Sequence, residues 1–263
     1  MKRVICLVSV LAVVFWTLPT FALPIISHNG AKDPTTEGWS PVHASGFQIV
    51  PNLGNNVSVG PIVGDNGFDA WVVNDSGTSS GNSGGYAYSL TSTQATDALT
   101  HGFTLSTRLK NPNSNDTSLG SILVNFDTGT KRYNMFFTSN AQGDPTVTLF
   151  DGGSNPSFTL NGVGPGYHLY ELVFDPSTST ASLFVEGIER ISGWPGRNVS
   201  SGQGPYVFWG SGQDNDTGEG RYNLVTFSVN TAPNPAPVPE PSTLLLLGSG
   251  LALVVGFGRR WRR

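Results

Sequence analysis

The chain is almost free of cysteine. Cys6 is the only one among 263 residues, and it lies in an apolar stretch close to the N-terminus. We expect that stretch to be removed during export. The remaining chain then has no disulfide and no cysteine-based metal site. Its stability must therefore come from a packed core.

Charged residues are also few, and the histidines show no metal-binding pattern. Asp, Glu, Lys and Arg make up 12% of the chain, and the formal net charge is −4. Between residues 23 and 237 only eight Lys and Arg remain, so this part is clearly more acidic than the whole chain. That sign disfavours nucleic-acid binding. The four histidines are scattered and show no metal-ligand spacing; they are His28, His43, His101 and His168.

Short segments that alternate apolar and polar residues are abundant. Residues 103–110 are the clearest case, with Phe103, Leu105 and Leu109 on one face. Turn residues rich in Gly, Pro, Asn and Asp separate the segments, and we find no convincing amphipathic helix. The pattern predicts an all-β sandwich or barrel. The predicted strands are 47–50, 57–63, 70–74, 86–90, 103–110, 121–127, 131–138, 146–151, 168–175, 180–185, 206–210 and 222–229.

The N-terminus has the three parts of a secretory signal peptide. Lys2 and Arg3 form a basic start, residues 4–16 an apolar region, and Thr20-Phe21-Ala22 a small-x-small cleavage site. We expect cleavage after Ala22, so that the mature chain begins near Leu23. The protein is therefore predicted to be exported.

The C-terminus carries a second three-part signal. A rigid motif is followed by an apolar run, residues 244–257, and then by a basic end. The basic end is expected to stop transfer and stay on the cytoplasmic side. The run of 14 residues is short for a permanent membrane span of about 20. The motif residues are Val238, Pro239, Glu240 and Pro241, and the stop-transfer residues are Arg259, Arg260, Arg262 and Arg263.

These three parts resemble a PEP-CTERM sorting signal, which is found on exported proteins of biofilm-forming Gram-negative bacteria. The resemblance implies processing near the motif by an exosortase, a membrane protease-transpeptidase. It also implies transient insertion of the apolar helix in the inner membrane. The alternative is an ordinary tail anchor with a chance Pro-Glu-Pro, but such an anchor would usually be nearer 20 apolar residues.

These signals divide the chain into five parts. We expect a signal peptide (1–22), an arm leading into the domain (23–37), a β-sandwich (38–230), a proline-spaced tether (231–237) and the sorting signal (238–263). Proline removes hydrogen-bond donors and stiffens the chain. The tether would thus hold the sorting motif clear of the folded domain.

Several segments of the predicted sandwich resemble laminin-G-like or concanavalin-A-like domains, particularly the lectin-like jelly rolls attached to sialidases. The resemblance rests on a predicted hairpin over residues 167–187, and on Ala70-Trp71-Val72-Val73-Asn74-Asp75 and Phe208-Trp209-Gly210-Ser211-Gly212. It implies a jelly roll of two antiparallel sheets with a concave face and rim loops that often bind glycans.

Aromatic rings and short polar side chains are the groups that hold sugars. Trp194 lies in a loop-like context and is expected to be exposed, whereas Trp71 is expected in the core. Burial between the sheets is the alternative for any of these tryptophans. The polar strand faces could line a groove, although such faces are more often only solvated. The candidate glycan-binding residues are Trp194, Trp209, Tyr206, Arg108, Asn125 and Asp127, with Arg132 as a further candidate.

A calcium site is the only cofactor that the sequence suggests. Asp214, Asp216 and Glu219 place oxygen ligands along a Gly-containing segment, with a spacing that a hard cation accepts. Laminin-G-like relatives often carry such an ion. The alternative is an ordinary turn, because Asp, Asn and Gly cluster in any β-turn.

Catalytic patterns find little support. A glycosidase would need two carboxylates flanking the bond, about 5–5.5 Å apart for retention. The Glu-x-Asp-x-x-Glu motif of jelly-roll glycosidases does not occur in the sequence. Glu171 and Asp175 face the same way on a predicted strand but are only suggestive. We therefore expect no enzyme and assign no catalytic residue.

The function predicted from the sequence is that of an exported bacterial surface or matrix protein that contacts extracellular polysaccharide. Its partners would be the exosortase and a polysaccharide, with no nucleic acid. A structural matrix or adhesion protein without a ligand pocket is one alternative. A polysaccharide-cleaving hydrolase or lyase is another.

Overall fold

The fold is given by a computed structural model that describes residues 23–45, 48–77, 83–112, 121–200, 202–212 and 217–230. Several sequence predictions fall outside these residues. They are the cleavage site at Ala22, the candidate calcium ligands Asp214 and Asp216, the sorting motif Val238–Pro241, and the stop-transfer residues Arg259, Arg260, Arg262 and Arg263.

Two antiparallel sheets form the molecule. Sheet A has eight strands: β14 (Ile188–Trp194), β13 (Thr180–Val185), β12 (His168–Asp175), β7 (Phe103–Lys110), β17 (Gly218–Val229), β5 (Phe68–Asp75) and β4 (Val57–Asp65) in order of pairing, with β1 (Leu23–Asn29) also beside β17.

Sheet B has nine strands: β11 (Ser157–Thr159), β10 (Pro145–Thr148), β9 (Lys131–Ser139), β8 (Leu123–Asp127), β16 (Tyr206–Ser211), β6 (Gly84–Ser89), β2 (Ser40–Ser45) and β3 (Gln48–Pro51) in order of pairing, with β15 (Arg197–Asn198) beside β9. The prediction of an all-β, two-sheet antiparallel sandwich is confirmed.

The core between the sheets is built largely from aromatic side chains. Phe103 of sheet A stacks on Phe174 with ring centroids 5.2 Å apart, and it meets Phe126 of sheet B edge-on at 5.0 Å. Trp71 is buried in the same core, as the sequence predicts. Offset and edge-on ring pairs of this kind add to the stabilisation from burying their apolar area.

One helix was not predicted. α1 (Ser92–His101) begins at a capping box, in which the Thr91 hydroxyl accepts from the Gln94 backbone N–H and the Gln94 side chain accepts from that of Thr91. Only Ala95 and Ala98 of this helix are buried. Two small residues make a weak apolar stripe, so period 3.6 is hard to see in the sequence.

The N-terminal arm belongs to the sandwich, which differs from the expected lead-in segment. β1 pairs with β17, with Leu23 opposite Val229, and a short 3-10 helix follows at Pro34–Glu37. His28 on β1 is fully buried, with Nδ1 2.7 Å from Glu37 Oε2 and its ring stacked 4.9 Å from that of Trp209. Burial lowers the pKa of His28 despite its bond to Glu37.

Helices of membrane-spanning length and hydropathy do not occur in the described ranges.

Candidate functional site

Several polar side chains on the outer face of sheet B are buried instead of exposed to solvent. On β8, Val124 and Phe126 point into the core between the sheets. Because successive side chains of a strand point to opposite faces, Asn125 and Asp127 point outward. Both are nevertheless buried, at 3% and 0% exposure. Buried polar groups on one face are the usual mark of a fixed hydrogen-bond network.

An ion pair between Asp127 and Arg132 lies at the centre of that network. Arg132 donates from Nε and Nη2 to Asp127 Oδ2 at 2.8 and 2.6 Å, and Asp127 Oδ1 accepts from the Gly129 backbone N–H at 2.6 Å. Arg132 Nη2 also donates to the Tyr206 hydroxyl at 3.0 Å. Burial raises the pKa of Tyr206 to about 12, so this phenol stays neutral at ordinary pH. The ion pair thus fixes the position of the Tyr206 hydroxyl.

Two asparagine amides beside this ion pair lack partners. Asn125 and Asn134 face each other on β8 and β9, and Asn134 is 1% exposed. Asn134 Oδ1 accepts from the Phe150 backbone N–H at 3.0 Å. In the part of the chain that the structure describes, neither Nδ2 atom has a hydrogen-bond partner. Both Nδ2 atoms are enclosed by protein, and an unpaired buried donor costs about 1–3 kcal/mol of stability.

Apolar side chains also lie on the outer face. Leu123, Phe208 and Phe136 pack together next to the two asparagines. This second apolar cluster is separate from the core between the sheets and also includes Val42, Ala87 and Tyr206. The face therefore offers both apolar contact and hydrogen-bonding groups.

A pocket of about 330 Å³ opens at one end of this face, where Tyr206 forms part of its wall. Its polar lining comes from Ser40, Ser89 and Gln203, which are far apart in the sequence. Val42, Ala87, Leu90, Gly204 and Pro205 complete the lining. A mainly apolar wall with a few converging polar groups is the usual composition of a small-molecule site, and about 300 Å³ is the lower end of the usual size.

Three of the six predicted glycan-binding residues come together at this site. Tyr206 lies directly opposite Asp127 across β16 and β8, and Asn125 is two residues from Asp127 on the same face. Arg132, which the sequence suggested as a further candidate, completes the group. Asn134 and the pocket residues other than Tyr206 were not predicted.

The two predicted tryptophans point away from this face. Trp209 is 0% exposed and lies in the core between the sheets. Trp194 is 2% exposed, so the expectation that its ring is exposed is wrong. β14 ends at Trp194, and the ring packs edge-on against Tyr133 at 5.9 Å. Neither ring is placed to stack on a sugar at the surface.

Arg108 lies on the other sheet. It belongs to β7 of sheet A, where its guanidinium lies 5.4 Å from the centroid of the Phe68 ring and donates to Asn223 Oδ1 at 3.4 Å. It therefore cannot share a groove with Asn125 and Asp127. An alternating pattern shows which residues of a strand share a face, but it does not show which sheet the strand joins.

The candidate calcium ligands are only partly described. Glu219 lies on β17, and its Oε1 accepts from Arg221 Nε at 2.6 Å. Across the described ranges, no group of three His, Cys, Asp or Glu side chains could hold a metal ion. Because Asp214 and Asp216 lie outside those ranges, the calcium site stays a prediction.

Glu171 and Asp175, the two carboxylates considered for catalysis, make hydrogen bonds to different parts of the protein. Glu171 Oε1 accepts from the Ser106 hydroxyl at 3.4 Å on the outer face of sheet A. Asp175 Oδ1 accepts from the backbone N–H and the hydroxyl of Ser177 at 2.8 and 2.7 Å, which fixes the turn after β12. These contacts account for both groups as structural polar residues.

The fold and this face define a lectin-type β-sandwich, and comparison with known proteins agrees. Residues 71–233 match the family model described as Vibrio cholerae sialidase, lectin insertion. This match covers more than half of the chain, so the protein belongs to that family. Residues 237–263 match the PEP-CTERM protein-sorting motif, which indicates export. Both resemblances inferred from the sequence are confirmed.

Individual relatives are more distant. The chain is 26% identical to the sialidase of Vibrio cholerae serotype O1 over 208 residues, which is 78% of this chain but 24% of the sialidase. It thus spans about a quarter of the length of that relative. Among solved structures, a carbohydrate esterase from the Shiga toxin-encoding bacteriophage phi24B has a TM-score of 0.54 at 13% identity and covers 80% of this chain and all of that one. This likeness shows the fold alone.

Proposed function

We propose that this protein binds carbohydrate, without catalysis, on the outer face of sheet B at the pocket beside Tyr206. The observation that carries the proposal is the pocket itself, with one wall formed by a tyrosine that an ion pair holds in place. Membership of a lectin-insertion family supports the same reading.

The pocket has the chemistry that a sugar requires. Hydroxyl and amide side chains at Ser40, Ser89 and Gln203 can exchange hydrogen bonds with sugar hydroxyls. Val42 and Ala87 offer apolar surface to the C–H face of a sugar ring. In this proposal Asp127 acts through Arg132 by positioning Tyr206, because its own carboxylate is already fully engaged.

The two terminal signals set the proposed location. A signal peptidase would cut after Ala22, and an exosortase-type protease would process the chain near Val238–Pro241 after transient insertion of the apolar segment in the inner membrane. The five-part division of the chain is part of this proposal, except that residues 23–37 contribute to the sandwich. The mature protein would then associate with polysaccharide at the outer surface or in the extracellular matrix.

A glycan array that includes bacterial exopolysaccharides tests the binding proposal. The mature protein, recovered after export, is compared with Ser40→Trp, which places an indole at the mouth of the pocket. Ser58→Trp is the matched control, because Ser58 is equally exposed but lies on β4 of sheet A. We expect binding by the wild type and the control and at least a tenfold loss in Ser40→Trp.

Two results contradict the proposal. One is silence of the wild-type protein across the array while its melting curve shows a folded domain. The other is equal binding by Ser40→Trp and wild type, which would place any sugar site elsewhere on the molecule.

A further inference from the structure

A row of side chains crosses the outer face of sheet B from one edge to the pocket. Arg197 lies opposite Arg132, Arg132 opposite Asp127, Asp127 opposite Tyr206, and Tyr206 opposite Ser89. Directly paired side chains of antiparallel strands lie on the same face. With neighbouring strands 4.7–4.9 Å apart, this cross-strand row is about 19 Å long.

The far end of the cross-strand row is a stacked platform. The Arg197 guanidinium lies 4.8 Å from the centroid of the Phe150 ring, and Phe150 meets Phe136 edge-on at 5.5 Å. An arginine held on a ring keeps a planar set of N–H donors in a fixed orientation. Such a platform can donate to hydroxyl or carboxylate oxygens of a molecule lying across the face.

The near end is the pocket, where Ser89 and Tyr206 are part of the lining. At about 330 Å³ it is near the lower size limit of ligand sites, so it suits a single sugar ring. The cross-strand row continues about 14 Å beyond Tyr206 to Arg197, which is three strand spacings. Within this extension Asp127 and Arg132 position Tyr206, whereas Arg197 at the far end lines no part of the pocket.

A second row runs parallel to the first. Asn134, Asn125 and Phe208 are successive register partners on β9, β8 and β16. The two asparagine Nδ2 atoms are nine-tenths or more buried and have no partner in the described part of the chain. In the strand order they lie between the pocket and the Arg197 platform, and both are enclosed by protein. The Arg197 platform is therefore the accessible feature that extends the site away from the pocket.

We propose that the ligand is an internal stretch of a polysaccharide chain, several sugars long, lying along the cross-strand row from the pocket to the Arg197–Phe150 platform. This inference rests on the proposed carbohydrate binding at the pocket. Contacts at the two ends act on one tethered ligand, so the second contact forms at high effective concentration. Affinity must therefore rise with the length of the sugar chain.

Length-graded fragments test this directly. The mature protein, recovered after export, is titrated by calorimetry with fragments of cellulose, chitin and alginate, from single sugars to octasaccharides. For at least one series we expect the affinity of the longest fragment to exceed that of the single sugar at least tenfold. Arg197→Ala should remove about tenfold of that gain, as expected for one charged hydrogen bond, and leave the single sugar unchanged.

The matched control is Arg190→Ala. Arg190 also stacks on a ring, 4.6 Å from the centroid of Phe158, but it lies on β14 outside the cross-strand row. Its removal should change no affinity. If Arg197→Ala has a lowered melting temperature, Arg197→Lys keeps the charge and removes the planar stack, and it should show the same loss for long fragments only.

The outcomes separate the two proposals. If single sugars bind as tightly as octasaccharides, or if Arg197→Ala and Arg190→Ala behave alike, the extended site is overturned and the pocket proposal stands. If no fragment of any length binds, both are overturned.

Discussion

The outer faces of the two sheets are each organised around an aspartate that accepts several hydrogen bonds, but with different results. On sheet A, Asp65 at the end of β4 accepts from Lys110 Nζ at 2.9 Å, Arg221 Nη1 at 2.9 Å and the Tyr167 hydroxyl at 3.0 Å. Lys110 also donates to Asn66 Oδ1 at 3.1 Å, and Arg221 also donates to Glu219 Oε1 at 2.6 Å. The cluster holds the β4–β5 hairpin against β7 and β17, and none of its residues lines the pocket beside Tyr206.

On sheet B the tyrosine accepts a hydrogen bond, whereas Tyr167 on sheet A donates one to Asp65. Tyr206 accepts from Arg132, which is held by Asp127, and its ring forms a wall of the pocket. Aspartate, arginine and tyrosine thus form a structural hydrogen-bond cluster on sheet A, whereas on sheet B they position a tyrosine that lines the pocket. The direction of the tyrosine hydrogen bond, and the open space beside its ring, distinguish the two.

The largest effects are expected when the aspartate at the centre of each cluster is replaced by alanine. Asp127→Ala removes the partner of a mostly buried guanidinium, and we expect a loss of about 3 kcal/mol in the free energy of unfolding. Asp65→Ala should cost about 2 kcal/mol, because Asp65 is itself less buried than Asp127 and the freed Arg221 keeps its ion pair with Glu219. Only Asp127→Ala should also weaken carbohydrate binding, by at least tenfold. Denaturant unfolding and calorimetry on both variants measure the two quantities.

Equal binding losses in the two variants would contradict the comparison, since a general loss of stability would then explain both. Equal retention of binding would show that Tyr206 needs no positioning by the ion pair.

The contribution of Asp65 on sheet A to stability can be measured by unfolding the protein at acidic pH. Although burial acts to raise the pKa of Asp65, the hydrogen bonds from Lys110, Arg221 and Tyr167 outweigh it and hold the pKa at about 2, below its usual 3.8. A depressed pKa stabilises the fold above pH 3.8, and this stability is lost as the pH falls towards 2. We expect a loss of about 1–2 kcal/mol over that window.

Asp65→Asn is the control, because it lacks this titration and should show a flatter pH dependence between pH 4 and 2. The buried His28, whose pKa is lowered by burial, adds a loss that begins below its unfolded value of 6.5 in both proteins. Parallel curves for wild type and Asp65→Asn below pH 4 would contradict the role of Asp65.

The smallest expected effect tests the tyrosine hydroxyl alone. Tyr206→Phe keeps the ring in the pocket wall and removes the acceptor for Arg132 Nη2. Arg132 retains its bonds to Asp127, so we expect a stability change below about 1 kcal/mol. Carbohydrate affinity should fall about three- to tenfold if the hydroxyl contacts the sugar. Tyr167→Phe on sheet A should leave affinity unchanged.

Much of this fold could be predicted from local patterns. The predicted bounds of β7, β12 and β13 match the structure because period-2 alternation and turn residues are both strong there. The helix α1 and the strand β1 were missed. α1 buries only two alanines, and β1 is held by pairing with Val229 and its neighbours at the far end of the chain.

The site was harder to predict because it depends on contacts that are distant in sequence. Alternation placed Asn125, Asp127 and Arg108 equally on polar faces, and only the sheet topology separates Arg108 from the other two. The pocket combines residues near positions 40, 88 and 204, which no local pattern connects. Trp194 looked like a loop residue because glycines flank it, yet its ring fills space beside Tyr133.

Backbone amide chemical-shift mapping of the exported protein, titrated with the strongest ligand from the glycan array, tests the central claim most directly. We predict the largest shifts at Ser40, Ser89 and Tyr206, with smaller ones reaching Arg132 and Arg197, and none around Asp65 on sheet A. Shifts confined to sheet A, or to residues remote from the pocket, would contradict carbohydrate binding on the outer face of sheet B.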